Sequence, residues 1–260
     1  LSYLESYTKD GKLYTNREEG KARKLSSLKS FYDYYFKKNL IRTNPPRQVD
    51  VPKIKNKNII RLDPNEIAQL LDEAESGEKL SGRQLASHEK TKVRDVAILT
   101  LLLGTGIRVS ECVGLNLEDV DFNNGAIRII RKGGNEALIY FGDEVSQALE
   151  AYMNGSRKTA EPAAGHEEAL FISLNKTRIT TRSVERLVKK YSRLVTTVKK
   201  ITPHKLRSTF GTALYQETGD IYLVADTLGH KDVNTTKKHY AAIDEHRRRM
   251  AANVVKLRES

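Results

Sequence analysis

Cysteine is nearly absent: Cys112 is the single one in 260 residues, which excludes an internal disulfide framework and fits a reducing cytosol. Long apolar runs are missing too. The longest, "VAILTLLLG" at residues 96–104, suits a buried helix and is too short to span a bilayer. There is no HxxxH, no cysteine pair and no evident carboxylate cluster, so the sequence gives no reason to expect a metal. The glycine-bearing "RKGGNE" lacks the Walker spacing, so no nucleotide cofactor is expected either. Internal repeats, low-complexity tracts and a secretory signal pattern are likewise missing. The chain begins at Leu1 rather than at methionine, and a preceding piece is expected.

What the chain has in excess is positive charge. Forty-five Lys and Arg stand against thirty-three Asp and Glu, a formal charge of +12, with 38% hydrophobic residues to build a core. That balance favours a polyanionic partner, nucleic acid before an anionic membrane surface. Residues 17–40 repeat apolar groups at Leu25, Leu28, Phe31, Tyr32, Tyr35 and Phe36, a helical period with Lys and Arg opposite. A solvated charged face and a face laid along a phosphate backbone both fit this pattern. The stretch that follows holds Pro45, Pro46 and Pro52 and is expected to be extended, as an interdomain linker. Its Arg42, Arg47, Lys53, Lys55 and Lys57 suit a strap crossing an anionic duplex.

From residue 62 the pattern becomes denser. Asp63 reads as an N-cap and Pro64 as the first helical residue of "DPNEIAQLLDEA". Residues 75–92 fit either a long loop or a helix extension. The buried helix at 96–103 stops at "GTG" (residues 104–106), and "IRVSECVGL" starts another, which puts Arg108 at the junction. Two β-rich runs, 127–130 and 137–141, flank the turn "RKGGNE" and predict a hairpin. A helix from "DEVSQALEAYM", an exposed loop from "GSRKTAEPAAGHEE" and a short strand from "EALFIS" follow. The remainder reads as helices: "TRSVERLVKKYSRL", "TPHKLRSTFGTALY", "DIYLVADTLGH", "NTTKKHY" and a basic terminal segment with Met250, Val254 and Leu257 on one face. That stripe could pack on its own chain or grip a neighbouring subunit.

Six residues stand out together: Arg108, Lys132, His204, Arg207, His230 and Tyr240. Singly, each has an ordinary explanation, such as a solvated arginine after a glycine turn, a turn lysine, or a histidine that caps a helix. In order and setting, "GTGIRVSE", a hairpin-turn lysine, "HKLRSTFGT", "LGHKDVNTT" and a tyrosine ten residues after His230 resemble the catalytic domain of the tyrosine recombinases, the phage-type integrases. The resemblance covers about residues 62–245. Ser208 departs modestly from it, since many relatives carry a second histidine there.

The resemblance implies a mixed, mainly α fold with a small antiparallel β-sheet. It implies a truncated helical core-binding DNA domain at 1–43, a linker at 44–61, a catalytic domain at 62–245 and a C-terminal helix at 246–260 that docks on a neighbouring subunit. It also implies roles. Tyr240 attacks the scissile phosphodiester to give a 3′-phosphotyrosine and a free 5′-hydroxyl. Arg108 and Arg207 clamp the phosphate, His230 adds a donor, His204 takes the tyrosine proton, and Lys132 protonates the departing 5′ oxygen. These residue types suit charge that develops on phosphate oxygens. Double-stranded DNA is the implied partner, bound by homodimers that pair into a homotetramer, with accessory DNA-bending proteins. The implied setting is a bacterial cytosol or nucleoid, or a phage-infected host's cytosol, and the implied biology is integration or excision of a mobile element. A type IB topoisomerase-like relaxing enzyme and a catalytically inactive DNA-binding regulator are the alternatives.

Overall fold

The computed structural model describes residues 2–54, 60–131, 133–230, 233 and 236. The chain divides into two compact units, residues 1–58 and 59–260.

The first unit opens with a single turn, α1 (Ser2–Glu5), and an antiparallel hairpin of β1 (Ser6–Lys9) and β2 (Lys12–Thr15). The hairpin was not anticipated, although "KDGK" carries an Asp-Gly turn signal and both turn residues take positive φ (Asp10 51°, Gly11 71°). The expected basic helix is α2 (Glu18–Lys37). Its apolar stripe is only partly covered: Ala22 and Leu25 are buried, while Leu28 and Phe31 stay exposed and the aromatics pack on each other, Phe31 on Tyr35 at 4.8 Å. The region expected to be extended starts instead with a 3₁₀ turn, Pro45–Gln48, because two prolines fit the first positions of a turn that needs no N–H from them. Asp33 of α2 pins that turn by accepting from Asn44 Nδ2 (2.6 Å) and Arg47 Nε (2.7 Å).

The second unit is built around α5 (Lys92–Thr105), in which Ala97, Ile98, Leu99, Leu101 and Leu102 are all buried. A helix apolar on every side must be covered on every side. It packs against α3 (Pro64–Ser76), α7 (Asp143–Tyr152), α8 (Thr181–Val195) and α9 (Pro203–Thr218). α3 starts as the sequence predicts, with a reciprocal box in which Glu66 N–H donates to Asp63 Oδ1 (3.0 Å) and Asp63 N–H to Glu66 Oε2 (2.9 Å). α8 buries Val184, Leu187, Val188 and Tyr191, a stripe at helical spacing. The undecided segment 75–92 finishes α3 and then forms a separate helix, α4 (Gly82–His88).

The predicted hairpin forms as β4 (Ala126–Ile130) and β5 (Glu136–Tyr140), with Ile127 opposite Ile139, and β3 (Val120–Asp121) adds a third antiparallel strand. Two expectations fail. "EALFIS" is not a strand: Leu170 and Phe171 are both buried, so the segment lacks the two-faced alternation a surface strand needs, and only isolated bridges form, Asn116 with Ala169 and Ile172 with Arg178. The loop "GSRKTAEPAAGHEE" is not wholly exposed either. Arg157 is buried in it, donating to the carbonyls of Ala169 (3.0 Å) and Glu167.

Asp95, buried on α5, ties several elements together. It accepts from Thr91 Oγ1 (2.9 Å), from Tyr191 Oη (3.0 Å) and from Arg94 (2.7 Å), and Arg94 reaches on to the Ile172 carbonyl at 2.8 Å. His88, fully buried at the end of α4, joins through Nδ1 to Tyr191 Oη at 3.0 Å. Burial holds the His88 pKa below the ordinary value, reinforced by the Lys190 charge and only partly opposed by the Glu75 carbonyl, Glu89 and Asp95. Burial also raises the Tyr191 pKa, so the phenol stays a neutral donor.

A histidine whose folded pKa is depressed binds its proton mainly in the unfolded chain once the pH falls below about 6.5. Stability therefore falls on acidification from about pH 7 to pH 5, the range above most carboxylate titrations. Thermal unfolding of the His88→Gln protein should show a shallower decline across that window than the unsubstituted chain does.

Candidate active site

The site starts from two helix ends. α5 closes on Gly106, which has φ 63°, and a Cβ there would stand 2.3 Å from Phe210 Cδ1. Both the left-handed backbone and the close approach call for glycine. α6 (Val109–Gly114) begins immediately afterwards with Arg108 as its N-cap residue. Glu111, one turn on and buried, holds Arg108 at both ends: it accepts from the Arg108 backbone N–H at 2.7 Å and from Nη1 at 2.8 Å. The Arg108 side chain itself is 40% exposed, so part of the guanidinium faces solvent.

The second end belongs to α10 (Ile221–Leu228), whose start is capped by Asp220 accepting from Tyr222 and Leu223 N–H. Its last four carbonyls lack partners within the helix and must find them elsewhere. His230 N–H donates to Ala225 O and Gly229 N–H to Asp226 O, each at 2.8 Å, the paired pattern of a glycine-closed helix end. Gly229 has φ 61°. The Thr227 carbonyl accepts from Arg131 Nη2 at 3.3 Å, and the Leu228 carbonyl accepts from Arg207 Nη2. One residue further, the Gly229 carbonyl accepts from Arg108 Nη2 at 3.3 Å. Three guanidinium groups therefore surround one helix C-terminus, where the backbone dipoles leave negative partial charge.

Arg207 does more than cap. It lies buried on α9, and its Nη1 donates to Gly106 O at 2.6 Å, so one planar fork joins the C-terminal ends of α5 and α10. His230 follows directly, with Nδ1 2.6 Å from the buried Thr236 Oγ1. His204 is exposed in the first turn of α9, one helical turn before Arg207, a spacing that puts the two side chains on the same side of the helix. Leu62, near the start of the second unit, is tied to the same helix by its N–H to Thr209 Oγ1 at 3.0 Å.

Of the six residues predicted, the structure gathers Arg108, Arg207 and His230 on the turn 228–230 and sets His204 on the helix that carries Arg207. Lys132 and Tyr240 lie outside the described residues, as does the stripe of Met250, Val254 and Leu257. Sequence reasoning missed Glu111 and Arg131. The first had a signal, an acidic residue at the third position of the helix that Arg108 opens. The second had none, because an arginine in a hairpin turn reads as solvated. Among the described residues no group of His, Cys, Asp or Glu side chains could hold a metal ion. Cys112 is buried, and burial pushes its thiol up to about 12, far from the thiolate needed for nucleophilic chemistry. No helix among the described residues is long and apolar enough to cross a membrane.

Comparison with known proteins adds an independent line. The model of the phage integrase family matches residues 60–247. Tyrosine recombinase XerC of Thermodesulfovibrio yellowstonii is 37% identical over 218 residues, covering 83% of this chain and 69% of the relative. XerC of Syntrophus aciditrophicus is 36% identical over 223 residues, 85% and 68% of the two chains. Among solved structures, the XerH site-specific recombinase in a post-cleavage complex with palindromic difH substrate superposes with a TM-score of 0.71 at 21% identity, over 91% of this chain and 67% of the other. The Tn1549 transposon integrase in complex with circular intermediate DNA gives 0.66 at 25% identity, over 90% and 78%.

The buried fork makes a direct prediction. Arg207→Ala strands two buried carbonyls, each costing about 1–3 kcal/mol when unsatisfied, and should lower stability by about 2–4 kcal/mol in urea unfolding. Arg207→Lys, which offers one point charge in place of a fork, should fall between the two.

Proposed function

The chain belongs to the phage integrase family and is a site-specific tyrosine recombinase, and on that premise we propose that Tyr240 is its nucleophile and that Arg108, Arg207, His230, His204 and Lys132 serve it. The observation that carries this assignment is the convergence of Arg108, Arg207 and His230 on the single turn 228–230. Donors fixed in place before substrate arrives stabilise charge that appears only in the transition state.

The chemistry follows from that arrangement. The Tyr240 hydroxyl gives its proton to His204 as its oxygen forms a bond to phosphorus. Negative charge grows on the non-bridging oxygens, which accept from the guanidinium groups of Arg108 and Arg207 and from the His230 ring. A guanidinium carries five N–H donors. Arg108 directs one to Glu111 Oε1 through Nη1 and one to the Gly229 carbonyl through Nη2, so donors remain for a phosphate. The bond from phosphorus to the 5′ oxygen then breaks with its electron pair going to that oxygen, and the Lys132 ammonium supplies the proton. The products are a 3′-phosphotyrosine, a 5′-hydroxyl and a neutral lysine. Religation runs the same steps backwards, with a 5′-hydroxyl from either the same or a partner duplex.

The wider assembly belongs to the same reading. The XerH and Tn1549 proteins are described as DNA complexes, which supports double-stranded DNA as this chain's substrate, and the net charge of +12 suits it. Residues 1–43 act as part of a core-binding DNA domain, 44–61 as the linker and 62–245 as the catalytic domain. Homodimers pair into a homotetramer on DNA, with residues 246–260 docking on a neighbour, and accessory DNA-bending proteins complete the complex. The setting is the bacterial cytosol, and the reaction serves integration or excision of a mobile element.

A nicked suicide substrate tests the assignment. The unsubstituted protein should be captured on the 3′ end, with the DNA adduct mapped by mass spectrometry to Tyr240. Tyr240→Phe should give no adduct, and Arg108→Ala should slow capture by about 10²-fold or more, the scale of a lost transition-state donor. Capture that persists in Tyr240→Phe would refute the nucleophile. Relaxation of a supercoiled plasmid without a cognate site, by protein too dilute to assemble, would favour the topoisomerase reading instead.

A further inference from the structure

Arg131 is the last residue before Lys132, and its guanidinium is committed to another element altogether. Nη2 lies 3.3 Å from the Thr227 carbonyl and 3.5 Å from that of Asp226, both on the last turn of α10. The flat of the group rests on Gly229: a Cβ there would stand 2.4 Å from Arg131 Cζ, so no larger residue allows the approach. Its own backbone closes the turn, donating N–H to Asn135 O at 2.8 Å and accepting from Gly134 N–H at 3.0 Å. Its Nε is buried with no partner among the described residues, and no described carboxylate pairs with it. A solvated turn arginine would show neither the contact with α10 nor the buried Nε. One side chain thus joins the tip of the β4–β5 hairpin to the helix end whose next residues are Gly229 and His230.

We propose that Arg131 is a positioning residue for strand cleavage, one that holds the Lys132-bearing turn on the C-terminal carbonyls of α10 so that the proton donor and the His230 segment share one anchor. Among the described residues no other side-chain hydrogen bond or ion pair holds the hairpin tip, and a lysine on an unanchored turn samples many positions in which it cannot reach a 5′ oxygen. The anchor reduces those positions without touching DNA. This inference rests on the reading of Lys132 as general acid, so the experiment separates the two.

Single-turnover cleavage is measured on two nicked suicide duplexes, one with an ordinary phosphodiester and one with a 5′-bridging sulfur at the scissile position. A thiolate departs without a proton, so loss of the general acid is masked on the sulfur substrate. Arg131→Ala should slow cleavage of the ordinary duplex by about tenfold or more, part of the 10²–10⁴ that a general acid contributes, while cleaving the sulfur duplex within about threefold of the unsubstituted rate. DNA affinity should be unchanged, and Arg131→Lys should recover part of the rate on the ordinary duplex. If Arg131→Ala unfolds, Arg131→Lys should still show the same contrast between the two duplexes. Equal slowing on both, or no slowing on the ordinary duplex, overturns the inference. Lys132→Ala is run alongside. If it is rescued by sulfur and the Arg131 variants are not, positioning by Arg131 is wrong and the acid stands. If Lys132→Ala is not rescued either, the acid assignment is wrong and the inference falls with it.

Discussion

The second unit depends on one buried guanidinium shared between two helix ends. Arg207 could not lie buried on α9 as a bare charge, since removing an ion from water without compensation costs several kcal/mol. The compensation comes from Gly106 O and Leu228 O, the C-terminal carbonyls of α5 and α10, where aligned peptide dipoles concentrate negative partial charge. That arrangement couples three helices. Moving α10 away from α5 would break one of these two hydrogen bonds, and turning α9 would break both.

The residues proposed for chemistry inherit their placement from this coupling. Arg108 comes two residues after Gly106 and His230 two after Leu228, so fixing the two helix ends fixes both. Glycine is needed at each closure: Gly106 lets Phe210 and Leu228 approach, and Gly229 lets Arg131 do so. The short distance from anchor to working residue matters, because a positional error of about 1 Å can cost a catalyst 10²-fold. The hydrophobic core contributes by making α5 immovable. A helix with buried residues on all its faces cannot slide without opening cavities that cost about 2–5 kcal/mol per large side chain.

Much of this was legible in the sequence, and the unevenness has a physical cause. Features written in local spacing were readable: the Asp63 cap followed by Pro64, the β4–β5 hairpin, and the arginine after a glycine turn. Of the six residues expected from order and setting, Arg108, Arg207 and His230 meet at one turn and His204 shares a helix with Arg207, while Lys132 and Tyr240 lie outside the described residues. What escaped were contacts between side chains and distant carbonyls. Arg131 meets residues about a hundred positions away, and Arg157 is drawn inside by the carbonyls of Glu167 and Ala169. A backbone carbonyl has no letter in the sequence, so an arginine that serves one looks like an arginine that serves water. "EALFIS" misled for a related reason, since burial on both faces makes an irregular core segment as apolar as a strand.

The kind of acceptor around these arginines also bears on what they can do. A carboxylate cancels a guanidinium's charge, and Glu111 does this for Arg108 while holding it at the mouth of α6. A carbonyl has the geometry of an acceptor without a formal charge. The carbonyls of Gly106, Thr227 and Leu228 can therefore hold the Arg207 and Arg131 guanidinium groups in place without themselves adding a formal negative charge. A phosphate entering this region would meet donors that are already oriented and need little reorganisation, which is the condition under which electrostatic stabilisation is largest. Arg131 and Arg207 thus complete a helix end through neutral acceptors, which hold a guanidinium without cancelling its charge as Glu111 does for Arg108.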